Sequence, residues 1–562
     1  MPTASTKRNR KKARDDWGAA VSSQKRRASE ESGRRGSSTP EPESSFDIPE
    51  RAWIYASAAI LLLAFVLRVY ALELKPLHHD EGVNGFFLTN LLRQGRYAYD
   101  PENYHGPTLY YLTLPFVALA GLHTFLIRLV TSLFGVGVVW LVLSLRRYVG
   151  TAAALVAGLL VAVSPACVFY SRYFIHEMPF VFFTLGLVVC ALRFRETGAA
   201  SDLLTATASA ALMFATKETA FISVGTLGLA WLTAVTWERV HGGGRGRAAR
   251  AAESEGKGFA KLRREGKAGV VVLGAVVLFA FIWVAFYSSF FTHWKGAFWD
   301  SFKAYTVWRK TGMSEFHGKP WYTYVKWLLQ EDAAVLVLGT FGALVALFER
   351  RLNRFAVFVA AWGFGLLVAY SIISYKTPWL VLSFVVPLAV AGGYAVQAFG
   401  AWTARQWRWR HRRGWAWQPT AALAAVAAVF GLYHTFVINF REYDNDQYPY
   451  VYSQTQRGFH DLVREIEHVG ERAGTKEPGF ATASPEYWPL PWYTRDNSHA
   501  GYQGQLSSSY DPKSTLAIIG RQDQLPQLQR VAGDTYTRVG DIYPLRPGVN
   551  LVLFVRRDLA PK

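Results

Sequence analysis

The chain has 562 residues, 51% hydrophobic and 15% aromatic, with a formal net charge of +20. Apolar runs of bilayer length recur along it, so the basic stretches between them read as cytoplasmic loops of a polytopic α-helical membrane protein. No nucleic-acid-binding motif accompanies the charge, which excludes that class. The two cysteines, Cys167 and Cys190, make no CxxC, no thiol metal site and no disulfide framework.

Residues 1–50 are rich in Lys, Arg, Ser, Glu and Pro and have almost nothing to bury. They read as a disordered, basic cytoplasmic tail. The run Trp53 to Leu72 that follows is a full span, hence an uncleaved signal-anchor leading from inside to outside. Just beyond it lie His78-His79-Asp80-Glu81-Gly82. The two carboxylates precede a helical periodicity over Val83 to Arg93, where a helix dipole stabilises them without excluding chemistry. The stretch 107–121 is short, and counting it as a span inverts every later loop, so it reads as a helix along the outer surface.

Further spans are predicted near 126–145, 151–169, 179–194, 202–216, 219–237, 268–288, 328–348, 355–373, 380–399 and 419–438. With the first they make about eleven, and every large basic loop then falls inside. Residues 51–439 thus form the transmembrane domain. Residues 440–562 change character. Phe459 to Val469 reads as an amphipathic helix, and 479–483, 514–519 and 551–555 as buried strands, which gives a small extracytoplasmic α/β domain.

This topology gathers ionisable residues on the outer face: His78, His79, Asp80 and Glu81; Asn103, Tyr104 and His105; Arg172, His176 and Glu177; Lys217 and Glu218; His317 and Lys319; Tyr375 and Lys376. Each has a bland reading. Arg172 and Glu177 make an interfacial ion pair, Lys217 and Lys376 snorkel, and His105 ends a loop. Yet outer lysines run against the positive-inside bias. Carboxylates and cations at headgroup depth also suit transfer from a lipid-phosphate-linked sugar. The cations hold the leaving phosphate and a carboxylate takes the acceptor's proton.

The order of several motifs carries a resemblance. His-His-Asp-Glu-Gly at 78–82 resembles the acidic first outer loop of GT-C glycosyltransferases, which include protein O-mannosyltransferases and the aminoarabinose transferases of lipid A. Tyr104-His105-Gly106-Pro107 and Ser171-Arg172-Tyr173-Phe174-Ile175-His176-Glu177 resemble their next two juxtamembrane motifs. Thr216-Lys217-Glu218, His317-Gly318-Lys319-Pro320-Trp321-Tyr322, Ser374-Tyr375-Lys376-Thr377-Pro378-Trp379 and Tyr487-Trp488-Pro489-Leu490-Pro491-Trp492-Tyr493 are similar to the narrower family of flippase-activity-associated proteins. The resemblance covers roughly residues 50–500.

It implies an inverting transferase of the family-39 type in a cell membrane. Such an enzyme moves a sugar from a polyprenyl-phosphate donor to a protein, lipid or glycan acceptor of the cell envelope on the extracytoplasmic face. Asp80, Glu81 and Glu177 are the expected catalytic residues. His79, His105, Arg172, Lys217, Tyr375 and Lys376 are expected to bind substrate, and a divalent ion is possible at Asp80 and Glu177. The stretch at 104–107 lacks the lysine that aminoarabinose transferases carry there. The alternative is a non-catalytic component of polyprenol-linked glycan export, which predicts repeated halves and midplane charges that the sequence does not clearly show.

Overall fold

The computed structural model describes residues 48–241, 257–312, 318–349, 353–408, 418–505 and 515–561. Residues 1–47 of the expected tail, much of the 238–267 loop and His317 lie outside the described residues. Ile48–Lys562 forms one compact unit.

The first helix, α1 (Glu50–Val69), is followed by α2 (His79–Gln94), α3 (Thr108–Ala120) and α4 (Thr124–Ser144). Next come α5 (Thr151–Val163), α6 (Pro165–Ser171), α7 (Glu177–Thr197), α8 (Ala200–Phe214) and α9 (Ala220–His241). After α10 (Ala268–Tyr287) and α11 (Ser301–Gly312) the chain forms α12 (Thr323–Glu331), α13 (Ala333–Phe348) and α14 (Arg354–Ile372). The long α15 (Leu382–Arg408) and α16 (Gln418–Phe436) complete the bundle.

Among the described residues eight helices are long and apolar enough to cross a bilayer, or ten if each of two bent pairs counts as one span. Ten of the eleven expected spans are among these, and the eleventh is the shorter α8. The span predicted near 202–216 is α8, whose 15 residues rise only about 22 Å against a hydrocarbon core of about 30 Å. It still returns the chain from the Thr197 end of α7 to the Glu177 end. The apolar stretch 107–121 is the short helix α3, as expected.

The bent pairs explain several buried charges. Between α5 and α6 the chain turns by 55° at Ser164-Pro165, because proline cannot continue the hydrogen-bond ladder. Carbonyls freed at that break need donors in a dry environment. Arg68 of α1 donates to Val161 O and Ala162 O, each at 3.0 Å, and Thr435 donates to Val163 O at 2.8 Å. Asp332, at the 113° break between α12 and α13, accepts from Ser164 Oγ at 2.7 Å and from the Ala166 amide at 3.2 Å. One broken span thereby caps the helix that resumes the other.

Beyond the bundle lies a small C-terminal sheet domain. Helix α17 (Phe459–Ala473) leads to β1 (Phe480–Thr482), β2 (Ala500–Tyr502), β3 (Ala517–Arg521), α18 (Leu525–Ala532), β4 (Tyr536–Arg546) and β5 (Val549–Arg556). Strand order is β2-β1-β3-β5-β4, with β1 parallel to β2 and β3, and β5 antiparallel to β3 and β4. The continuous apolar runs of β3 and β5 follow from burial on both faces. Ile519, Leu551 and Leu553 pack with Phe459, Leu462 and Ile466 of α17, while Ile518, Val552 and Phe554 pack with Leu528 of α18.

Candidate active site

Helix α2 begins with a capping box: the Asp80 amide donates to His78 Nδ1 at 3.1 Å, and the His78 amide donates to Glu81 Oε2 at 2.9 Å. Glu81 points away from solvent and is fully buried. Arg128 of α4 grips it through two bonds of 2.7 Å, and the same guanidinium donates to Leu72 O, Lys75 O and Pro76 O. Burial opposes ionisation of Glu81, but the Arg128 charge and its hydrogen bonds outweigh it and hold the carboxyl below its ordinary range. This paired carboxylate fixes the fold of the loop that leads from α1 into α2. Its i+1 spacing from Asp80 then turns Asp80 the other way, half exposed into a cavity.

That cavity, of about 290 Å³, collects Asp80 and His79 with His105, His176, Glu177, Lys217, Glu218 and Tyr375. All stand at helix ends on one side of the bundle. Backbone bonds from Gly106 N to Thr216 O at 3.1 Å and from Thr108 N to Ala215 O at 3.2 Å lay the second loop against the 216–218 turn. Gly106 permits this approach, since a Cβ there would lie 2.0 Å from Ala215 O. His105 Nδ1 consequently meets Glu218 Oε2 at 3.0 Å, and His176 Nε2 meets Gly106 O at 3.0 Å.

Lys217 donates to Glu177 Oε1 in a pair that is almost wholly buried. Arg172 is not the partner of Glu177, which corrects that expectation. Burial pushes the Lys217 ammonium down, but Glu177 and Glu218 together overcome it and raise its pKa. Burial also pushes Glu218 up, and His105 and Lys217 outweigh it, so Glu218 stays ionised below the usual carboxylate range. Desolvation, with the His105 and Lys217 charges, drives His176 well below its ordinary value and keeps it neutral. His79 falls to about 4, chiefly by burial, although Asp80 opposes the shift.

Among the described residues each of the other lining carboxylates has a partner: Glu102 pairs with Lys303 at 3.1 Å, Glu177 with Lys217 and Glu218 with His105. Asp80 comes no nearer than 4.0 Å to His78 Nδ1. One open carboxylate thus faces a set of clamped charges.

Three expected site residues stand elsewhere. Glu81 is locked by Arg128, as described. Arg172 donates to Tyr70 O at 2.5 Å and Ala71 O at 2.8 Å, where it completes the carbonyl end of α1. Lys376 directs its ammonium at Ser371 O and Ile373 O, which closes α14 in the same way. Neither Arg172 nor Lys376 lines the cavity. Conversely, Arg128 was overlooked. A lone arginine in the apolar run Thr124–Ser144 was the signal available.

A divalent ion at Asp80 and Glu177 does not fit this donor set. No group of three or more His, Cys, Asp or Glu gathers among the described residues in a way that could hold a metal, and the Lys217 ammonium already occupies Glu177 Oε1.

The C-terminal domain seats directly on α2. A Cβ at Gly85 would come within 2.4 Å of the Trp492 ring, and one at Gly82 within 2.8 Å of Pro489. Trp492 Nε1 donates to Thr124 Oγ1 at 3.0 Å, and the Leu77 amide donates to Tyr493 Oη at 2.9 Å. His79 Nδ1 lies 3.5 Å from Arg546 of β4. The aromatic segment Tyr487–Tyr493 is therefore the seat of the C-terminal domain on the acidic loop.

Comparison with known proteins extends these observations. The family model for dolichyl-phosphate-mannose-protein mannosyltransferase matches residues 104–241, which include the second loop, Glu177 and Lys217. No curated protein matches the chain. Among solved structures, ArnT from Cupriavidus metallidurans bound to undecaprenyl phosphate aligns with TM-score 0.57 at 14% identity, over 92% of this chain and 100% of that one. The Archaeoglobus fulgidus oligosaccharyltransferase tethered to an acceptor peptide aligns with TM-score 0.54 at 12% identity, over 84% and 70%. At these identities the likeness is one of fold: this chain is a multi-pass membrane protein of GT-C fold.

Proposed function

We propose that the chain transfers a sugar from a polyprenyl-phosphate-linked donor to a hydroxyl acceptor (protein, lipid or glycan) on the extracytoplasmic face of a cell membrane. The observation that carries this reading is the single open carboxylate, Asp80, in a cavity whose other lining carboxylates are partnered. The cavity is sized for a headgroup, and the fold relative bound to undecaprenyl phosphate supports the donor class. The basic ends of the helices, at Arg146-Arg147, Arg193 to Arg195 and Arg263-Arg264, support a cytoplasmic face opposite the cavity.

Asp80 takes the proton of the acceptor hydroxyl as general base. The acceptor oxygen bonds to the anomeric carbon while the carbon–oxygen bond to phosphate breaks, and polyprenyl phosphate leaves with the electron pair. A single displacement of this kind inverts the anomeric centre. Lys217 keeps two N–H groups beyond its bond to Glu177, and these with His105 meet the negative charge growing on the leaving phosphate. Glu177 and Glu218 act as positioning residues for Lys217 and His105. Neutral His79 and Tyr375 contact the sugar. Glu81, Arg172 and Lys376 hold the scaffold. Residues 51–439 are then the catalytic membrane domain and 440–562 its outer roof.

The test is incubation of purified protein with a panel of labelled polyprenyl-phosphate sugars. Asp80→Asn is expected to lower transfer about 10²- to 10⁴-fold with unchanged monodispersity. Full transfer by that variant overturns the assignment.

A further inference from the structure

A second cavity, larger at about 530 Å³, lies at the opposite end of the bundle. Its walls are apolar: Leu187 and Leu192 of α7, Leu227 and Trp231 of α9, and Phe355 and Phe358 of α14. Trp231 is 45% exposed, so the cavity opens sideways onto the lipid-facing surface. The polar end is basic. Arg147 takes Glu196 at 2.7 Å and Arg354 takes Glu238 at 3.4 Å, whereas Arg195 has no carboxylate within ion-pair range among the described residues. Of the charged residues on the lining itself, Arg195 and Arg354 face the single carboxylate Glu196, leaving one positive charge over.

Depth fixes what can use that charge. Arg195 follows Glu177 by eighteen residues of the same helix, which is about 27 Å along the axis and close to the thickness of a hydrocarbon core. A guanidinium at that level meets headgroups of the leaflet opposite the candidate active site. Gly228 adds a further detail: a Cβ there meets nothing within 4 Å, so the α9 wall has open space at its middle.

We infer that this cavity is a binding site for an anionic phospholipid of the opposite leaflet, with an acyl chain along α7, α9 and α14 and its phosphate on Arg195. Apolar walls ending in an uncompensated cation at headgroup depth distinguish it from ordinary lipid-facing surface, which has no charge preference. The site is independent of sugar transfer and needs no donor to be observed.

Native mass spectrometry of the full-length protein, reconstituted with equimolar phosphatidylglycerol and phosphatidylcholine, tests it. The wild-type chain is expected to retain phosphatidylglycerol about fivefold over phosphatidylcholine, the ratio that corresponds to about 1 kcal/mol for one basic residue at a membrane surface. Arg195→Gln is expected to abolish the preference while lipid is still retained. Gly228→Leu, which fills the open space without displacing a neighbour, is expected to abolish retention of both. Equal retention of the two lipids by the wild type, or a preference unchanged in Arg195→Gln, overturns the inference. So does undiminished retention in Gly228→Leu.

Discussion

Asp80 and Glu81 are chemically alike and adjacent, yet their surroundings separate them completely. Glu81 is buried in a doubly bonded pair with Arg128, and Asp80 stands 41% exposed by side chain. Glu81→Gln leaves the Arg128 charge buried and uncompensated, and such a loss costs about 3–5 kcal/mol. A lowered thermal unfolding temperature, with any residual activity proportional to folded protein, is the expected result; unaltered stability with lost activity would return Glu81 to the chemistry.

The pH response divides by residue in the same way. Glu218 has a depressed pKa, so its contribution is present above about pH 4.5 and is lost as pH falls through the lower folded value. Lys217 is raised, so its contribution is present below about pH 10.5 and is lost only above that. Across neutral pH the pair is constant. His79 and His176 differ, because below pH 6.5 the unfolded chain takes protons that the folded site refuses, in the case of His79 until about pH 4. Stability should fall as pH drops through that interval, and His79→Asn should flatten the slope in thermal melts recorded from pH 7 to 4.5.

At the scale of elements, the governing contact is α2 against the Tyr487–Tyr493 segment. Gly85→Val puts a branched side chain where the Trp492 ring already lies, so the C-terminal domain should lift from α2. Limited proteolysis should then cut between α16 and α17 faster than in the wild type. The sequence showed α2, α17 and the buried strands by periodicity. It could not show which carboxylate of an adjacent pair turns inward, since that depends on Arg128, 47 residues away. Arg172 and Lys376 misled for a related reason. A cation next to a motif was equally well placed to close a helix end, and only the carbonyls it meets decide between the two. Length is a separate matter: α8 has the composition of a span but is a turn or two shorter than one.

Across the whole molecule, the two proposed lipid sites lie at opposite ends of one bundle. Glu177 and Arg195 mark those ends on a single helix, one in the cavity of the open carboxylate and one itself the unneutralised guanidinium. Membrane and outer portions also share buried contacts through Leu77, Thr124 and Gly85, and residues 48–562 cluster as one compact unit. Calorimetry should therefore record one unfolding transition rather than two. A separate low-temperature transition for 440–562 would contradict that coupling.

The capping of one broken helix by Asp332 in the other has a bearing on how the protein is made. Neither bend is satisfied until both are present, yet Ser164 leaves the ribosome some 170 residues before Asp332. Until α13 arrives, the start of α6 stands in the bilayer with a serine hydroxyl and an amide awaiting their acceptor. The nascent first half is thus an incomplete object that waits for the second, and assembly of the bundle must run late rather than span by span.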